Sequence, residues 1–329
     1  MGTPSNLSAP SNGSLEVGEA PGDSGVGAAT LGAALSLLCA VGVAGNVYTL
    51  AVARAAGSSL HTHIVNLALA DLLYLGTAPF IVHTGLAKDW QFGEAGCRLL
   101  LGLDLLTMHA SSFLLALLST ERYQAVAQPF RAAHRSHQCR YALAAASWAA
   151  ATVLALPMML MVRLEERTGT NGRTRYLCTP AWQEEHYRAY LTVLFGTSMV
   201  GPGLVIGCLY GRLARTYWLS QTRGMLAGAG ARRAPEPRVF LLILAIVLAF
   251  WACFLPFWLW QLVPLYSPGT ATQLLPTTEI SINHLVTCLT YSNSCINPFL
   301  YTLLTRSYRQ RRRAQGLRGL PPHQPATRV

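Results

Sequence analysis

The chain has 329 residues, of which 52% are apolar and only 12% charged, with a formal net charge of +11. That length would suit two soluble domains, but the composition reads more simply as one membrane domain. The basic balance fits a membrane topology with a positive inner side and gives no reason to expect nucleic acid.

Seven long apolar segments run in series, at 31–53, 64–86, 99–127, 141–162, 190–211, 239–263 and 280–304. Each can span a bilayer as a helix, and one apolar core helix of a soluble protein does not account for seven of this length. The expected fold is an all-α membrane protein: a seven-transmembrane helix bundle over 28–304, with a short amphipathic cytoplasmic helix and tail over 305–329.

The tail at 1–27 is rich in Gly, Ser and Pro, carries acids and no Lys or Arg, and holds two glycosylation sequons headed by Asn6 and Asn12. Arginines cluster in alternate connections: Arg54; Arg131, Arg135 and Arg140; Arg212, Arg215, Arg232 and Arg233; and Arg306 to Arg313 after the last span. By the positive-inside rule these connections are cytoplasmic and the amino terminus is extracellular, which predicts a multi-pass plasma-membrane protein whose basic rim meets anionic lipids. Of eight cysteines, only Cys97 and Cys178 then face the oxidising side, and they are the expected disulfide.

In the first span Asn46 places an amide in hydrocarbon and needs a partner; the second span offers Asp71, with Pro79 expected to kink the helix beyond it. The third span carries Cys97, Asp104 and Ser111 at intervals of seven, nearly one stripe of one face, and ends in Glu121-Arg122-Tyr123. From Cys97 to Arg122 such a helix rises about 37 Å, enough to cross a hydrocarbon core of roughly 30 Å. Trp148 in the fourth span reads equally well as a packing residue. The loop after it, with Asn171-Gly172 between β-prone flanks, reads as a hairpin.

The fifth span contains Gly201-Pro202-Gly203, a candidate hinge, and then Tyr210. The stretch 250–261, Phe-Trp-Ala-Cys-Phe-Leu-Pro-Phe-Trp-Leu-Trp-Gln, reads as the aromatic floor of a binding cavity kinked at Pro256. The last span brings Tyr291, Asn293, Ser294 and Asn297-Pro298-Phe299-Leu300-Tyr301. Polar groups at mid-membrane depth must satisfy one another, and Asp71 and Ser111 are the expected partners.

Taken together, Gly45-Asn46, Leu67 to Asp71, Cys97 with Cys178, Glu121-Arg122-Tyr123, Trp148, Pro202, Pro256 and Asn297 to Tyr301 resemble the helix landmarks of rhodopsin-like (class A) G-protein-coupled receptors. Within that family, 65–75, 102–111, 250–262 and 288–291 are similar to receptors for cyclic peptides that carry a basic residue. The resemblance implies a cyclic cationic peptide ligand, with Asp104 receiving its lysine and Met108, Phe257, Gln261, Thr287 and Tyr291 around it. An internal Asp104–Tyr291 pair is the alternative role for that acid. The resemblance also implies coupling to a heterotrimeric G protein, of the Gq class, through Glu121, Arg122, Tyr123, Tyr210, Phe254, Asn297, Pro298 and Tyr301.

No cofactor is implied beyond an allosteric sodium ion at Asp71, Ser111, Asn293 and Asn297. Phe254 departs from the tryptophan most relatives carry, and Glu236 stands as a partner for Arg122 or as a helix cap. A somatostatin, opioid or amine receptor would use the same acid. A transporter lacks support because no internal repeat is seen, and no nucleophile–base constellation suggests an enzyme.

Overall fold

The computed structural model describes residues 24–56, 61–127, 136–168, 174–227, 237–267 and 276–318. Asn6, Asn12 and Glu236 lie outside the described residues, as do the side chains of Arg122 and Tyr301.

Apolar segments of this length become helices because a backbone in hydrocarbon must satisfy its own hydrogen bonds. The described elements are α1 (Ser24–Ala56), α2 (His61–Leu75), α3 (Ala78–Ala87), α4 (Gly93–Ala127), α5 (His137–Met161), β1 (Val162–Thr168), β2 (Thr174–Pro180), α6 (Glu184–Phe195), a π turn (Gly196–Val200), α7 (Gly201–Ala227), α8 (Pro237–Tyr266) and α9 (Pro276–Arg318). α2 and α3 form one broken rod, and α6, the π turn and α7 another, which makes seven rods among the described residues. Six of them are long and apolar enough, among the described residues, to cross a bilayer, and α9 is the remaining rod.

Proline decides where the rods break. Pro79 lacks the N–H that would bond to Leu75, and the chain leaves the helix at Gly76–Thr77 and restarts at Ala78 with the proline in the first turn. The Leu75 carbonyl freed in this way accepts the Cys39 thiol of α1 at 3.5 Å. The interruption falls beyond Asp71, just before the proline. In the fifth rod the hinge expected at Gly201-Pro202-Gly203 is preceded by a five-residue π turn, closed by the Gly201 N–H on the Gly196 carbonyl.

α4 is the central rod: it packs against α2, α5, α7, the π turn and β1, while α9 lies along α1, α2 and α8. The α1–α9 approach is close because Gly42 has no Cβ, which would sit 2.7 Å from Leu75 and 3.0 Å from the Cys295 sulfur. β1 and β2 pair antiparallel with Leu164 opposite Cys178, and the Cys97–Cys178 disulfide ties this hairpin to the start of α4. The Trp90 N–H donates to the Tyr176 carbonyl and the Tyr176 N–H to Asp89, which clamps the loop before α4 onto β2.

One expectation is corrected. The segment after Leu304 is helical, but as the continuation of α9 to Arg318 rather than as a separate short helix. It contains neither Gly nor Pro between 304 and 316 to interrupt the helix.

Candidate functional site

A cavity of about 120 Å³ opens below the hairpin. Asp104, Leu105 and Met108 of α4, Phe257, Trp258 and Gln261 of α8, and Thr287 and Tyr291 of α9 line it, with Tyr74, Tyr187 and Pro180 closing its sides. All six residues named from sequence for ligand contact therefore share one wall-to-wall space. Trp258 of the aromatic stretch also lines it, as do Asn283 and His284, to which sequence reading assigned no role. Asn283 has a visible reason to be there, since it accepts the Trp260 Nε1–H at 2.5 Å and ties α8 to α9.

Asp104 is the acid of this cavity. Its Oδ1 is buried with no hydrogen-bond partner. Among the described residues no Lys or Arg lines the space, and His284 is its one basic side chain. The alternative of an Asp104–Tyr291 pair is not what forms: the Tyr291 hydroxyl meets the Thr77 hydroxyl at 2.5 Å. Tyr291 is further held by stacking on Tyr74 at 4.3 Å, whose own hydroxyl donates to Thr290. The break between α2 and α3 places Thr77 for this contact, so the tyrosine that would have occupied the carboxylate is engaged elsewhere.

The aromatic stretch of α8 does form the wall expected of it. Phe257 and Trp258 meet edge to face at 5.6 Å, and Trp258 packs against Phe195 of α6 at 5.9 Å. The Trp258 Nε1–H is buried without a partner. Below, Phe254 is 3% exposed and packs on Phe250.

Nearer the middle of the bundle lies a closed polar centre. Asp71 accepts from the Ser294 hydroxyl at 2.9 Å and from the Asn297 amide at 3.0 Å. Asn46 does not reach Asp71; its amide donates to the Gly42 and Ser294 carbonyls, both at 2.9 Å. Ser111 and Asn293 are buried, but neither bonds the carboxylate, and Ser294 takes the place expected for Asn293. Which of two adjacent residues on α9 faces Asp71 depends on the rotation of the helix near Pro298, which residue type does not state. Trp148 combines packing with a bond, its Nε1–H donating to Asn66 at 2.9 Å.

At the far end of α4, Glu121 is buried and accepts from Arg140 Nε at 2.9 Å, with His63 Nε2 at 3.3 Å. Three rods thus meet on one carboxylate. Arg140, read from sequence only as a topological charge, is 5% exposed. Tyr210 is buried on α7 and Pro298 lies inside α9.

The chain matches the family described as 7 transmembrane receptor (rhodopsin family) over residues 46–301. It belongs to that family. It is 54% identical over 290 residues to the urotensin-2 receptor of Bos taurus, covering 87% of this chain and 73% of that one. It is 51% identical to the urotensin-2 receptor of Homo sapiens, covering 88% and 72%, and 32% identical to somatostatin receptor type 5 of Rattus norvegicus, covering 83% and 74%. The protein is therefore a multi-pass plasma-membrane receptor, coupled to a G protein, and not an enzyme.

Proposed function

We propose that this rhodopsin-family receptor responds to a urotensin-like cyclic peptide whose ring presents a lysine to Asp104. The observation that carries the reading is the buried, unpartnered Asp104 Oδ1 in a cavity whose described lining holds no Lys or Arg. A carboxylate left so inside a membrane bundle is costly unless a cation completes it, and the bound ligand supplies one. Phe257, Trp258 and Tyr291 offer ring faces and edges for aromatic residues of the peptide, and Gln261 and Thr287 offer polar contacts. The relatives named for urotensin-2 support this choice of ligand.

In this reading the hairpin face and the amino terminus are extracellular, Asn6 and Asn12 carry glycans, and the Glu121 end meets a Gq-class G protein, releasing calcium. Lipid contact is through the basic rim on that inner side. A peptide that binds the signalling conformation better shifts an equilibrium already present.

The test is a calcium assay of cells expressing the receptor, against cyclic and linear forms of a peptide carrying Phe, Trp, Lys and Tyr. Response to the ring, loss with Asp104→Ala and unchanged surface expression are expected. Silence to the ring, with response to a different cationic ligand, would overturn the peptide assignment.

The polar centre is also proposed to hold a sodium ion. Asp71, Ser111, Asn293 and Asn297 offer carboxylate, hydroxyl and amide oxygens, a donor set suited to a hard cation, although both Asp71 oxygens already accept protein hydrogen bonds. Agonist affinity measured in sodium and in an organic-cation buffer would differ if it does; equal affinities would remove the ion from the account.

A further inference from the structure

His109 lies one residue beyond Met108, which lines the cavity, but does not itself line it. It is fully buried and reaches from α4 to the π turn of the fifth rod. Its Nδ1 lies 2.8 Å from the Leu105 carbonyl. A carbonyl only accepts, so Nδ1 carries the proton, and in the neutral ring Nε2 is then an acceptor. On its other side the ring meets the Thr197 hydroxyl, 3.3 Å from Nε2, and the Leu194 backbone carbonyl.

That hydroxyl has a single proton to give. It also stands 2.9 Å from the Val193 carbonyl and 3.1 Å from the Leu194 carbonyl, both within its own rod. Three acceptors compete for one hydrogen. The next residue, Ser198, is fully buried on the same turn with a hydroxyl that bonds nothing. The turn therefore holds one overcommitted hydroxyl and one unused one, as expected of a segment with two ways to satisfy its polar groups.

The placement gives this choice a consequence. Phe195, just before the turn, packs on Trp258 of the cavity wall, and Pro202 lies just after it. We infer that His109 and Thr197 form a two-position latch through which the state of the cavity reaches the π turn, with His109 as a positioning residue for signalling. When Thr197 donates to His109, the third and fifth rods are tied across the bundle. When it donates to Val193 or Leu194, the turn is tied to itself and the cross-bundle bond is lost. Movement of Phe195 and Trp258 around a ligand biases the choice, and the turn beside Pro202 carries it along α7.

The inference rests on the receptor reading and not on the identity of the ligand, so its main readout is ligand-free. Basal nucleotide exchange on purified G protein would be measured for His109→Phe, Thr197→Val and the double variant, with Thr197→Ser as the conservative control. Each single variant is expected to shift the basal rate by about threefold, and the double variant by no more than either, because paired residues are non-additive. Thr197→Ser should stay near wild type. Hydrogen exchange of the Gly196–Val200 amides should rise equally in both singles and serves as well if G-protein coupling is weak in the purified system. If His109→Phe fails to fold, His109→Gln takes its place in the cycle. Additive effects, or a Thr197→Ser rate matching Thr197→Val, would overturn the latch. Failure of the cyclic peptide to bind wild-type receptor would overturn only the proposed ligand.

Discussion

Asp104 and Asp71 are both carboxylates in apolar helices, and they are satisfied to different extents. Asp71 meets a hydroxyl and an amide from α9, one on each oxygen. Asp104 leaves an oxygen buried and unpartnered in the wall of a cavity. A closed network holds rods together, whereas an open one lowers the stability of the empty protein and waits for a partner from outside. The contrast separates the part of the bundle that supports from the part that recognises.

The largest expected effect breaks the open side. Asp104→Asn keeps the side-chain size and removes the charge, and affinity for a lysine-bearing ring should fall by a factor on the order of 100 or more, as for other buried charge pairs that lose one partner. Thermal unfolding of the ligand-free receptor in detergent should move the other way, to a higher midpoint, because a costly buried charge has gone. A fall in both would show that Asp104 also supports the fold.

Removing the disulfide comes next. Cys97→Ser with Cys178→Ser frees the hairpin that roofs the cavity and should lower stability by about 2–5 kcal/mol, read by the same unfolding assay. Asp71→Ala strands the Ser294 hydroxyl and the Asn297 amide, and should destabilise by about 1–3 kcal/mol for each donor left unsatisfied, with ligand affinity changed only by the loss of its dependence on sodium. Equal losses of affinity at Asp71 and Asp104 would erase the distinction between the two regions. Smallest is Trp148→Phe, which removes the bond to Asn66 and part of the packing of a half-buried ring, and should cost about 1 kcal/mol with binding unchanged.

The rods, their order and the hairpin were legible because each rests on a local cause: apolar length, proline, or Asn-Gly between strand-forming flanks. The six residues that the family resemblance implied around the ligand do line one cavity. Other features were not legible. Nothing in Ser294 distinguishes it from Asn293 until the rotation of α9 is known. Arg140 reads as one more basic residue near a span end until α5 is seen to bury it against Glu121. The separate amphipathic helix expected after Leu304 is instead continuous with α9, since no residue there breaks the helix.

The sequence by itself determined the class of molecule, its membrane-spanning rods and its chemically unusual residues, because hydrocarbon penalises every polar group that lacks a reason to be there. Only the tertiary structure decided who satisfies whom: Tyr291 with Thr77 rather than Asp104, Asn46 with a backbone carbonyl of α9, Thr197 with three competing acceptors. A hydrogen bond depends on approach and direction within a few tenths of an ångström, and those are set by the mutual rotation of packed rods.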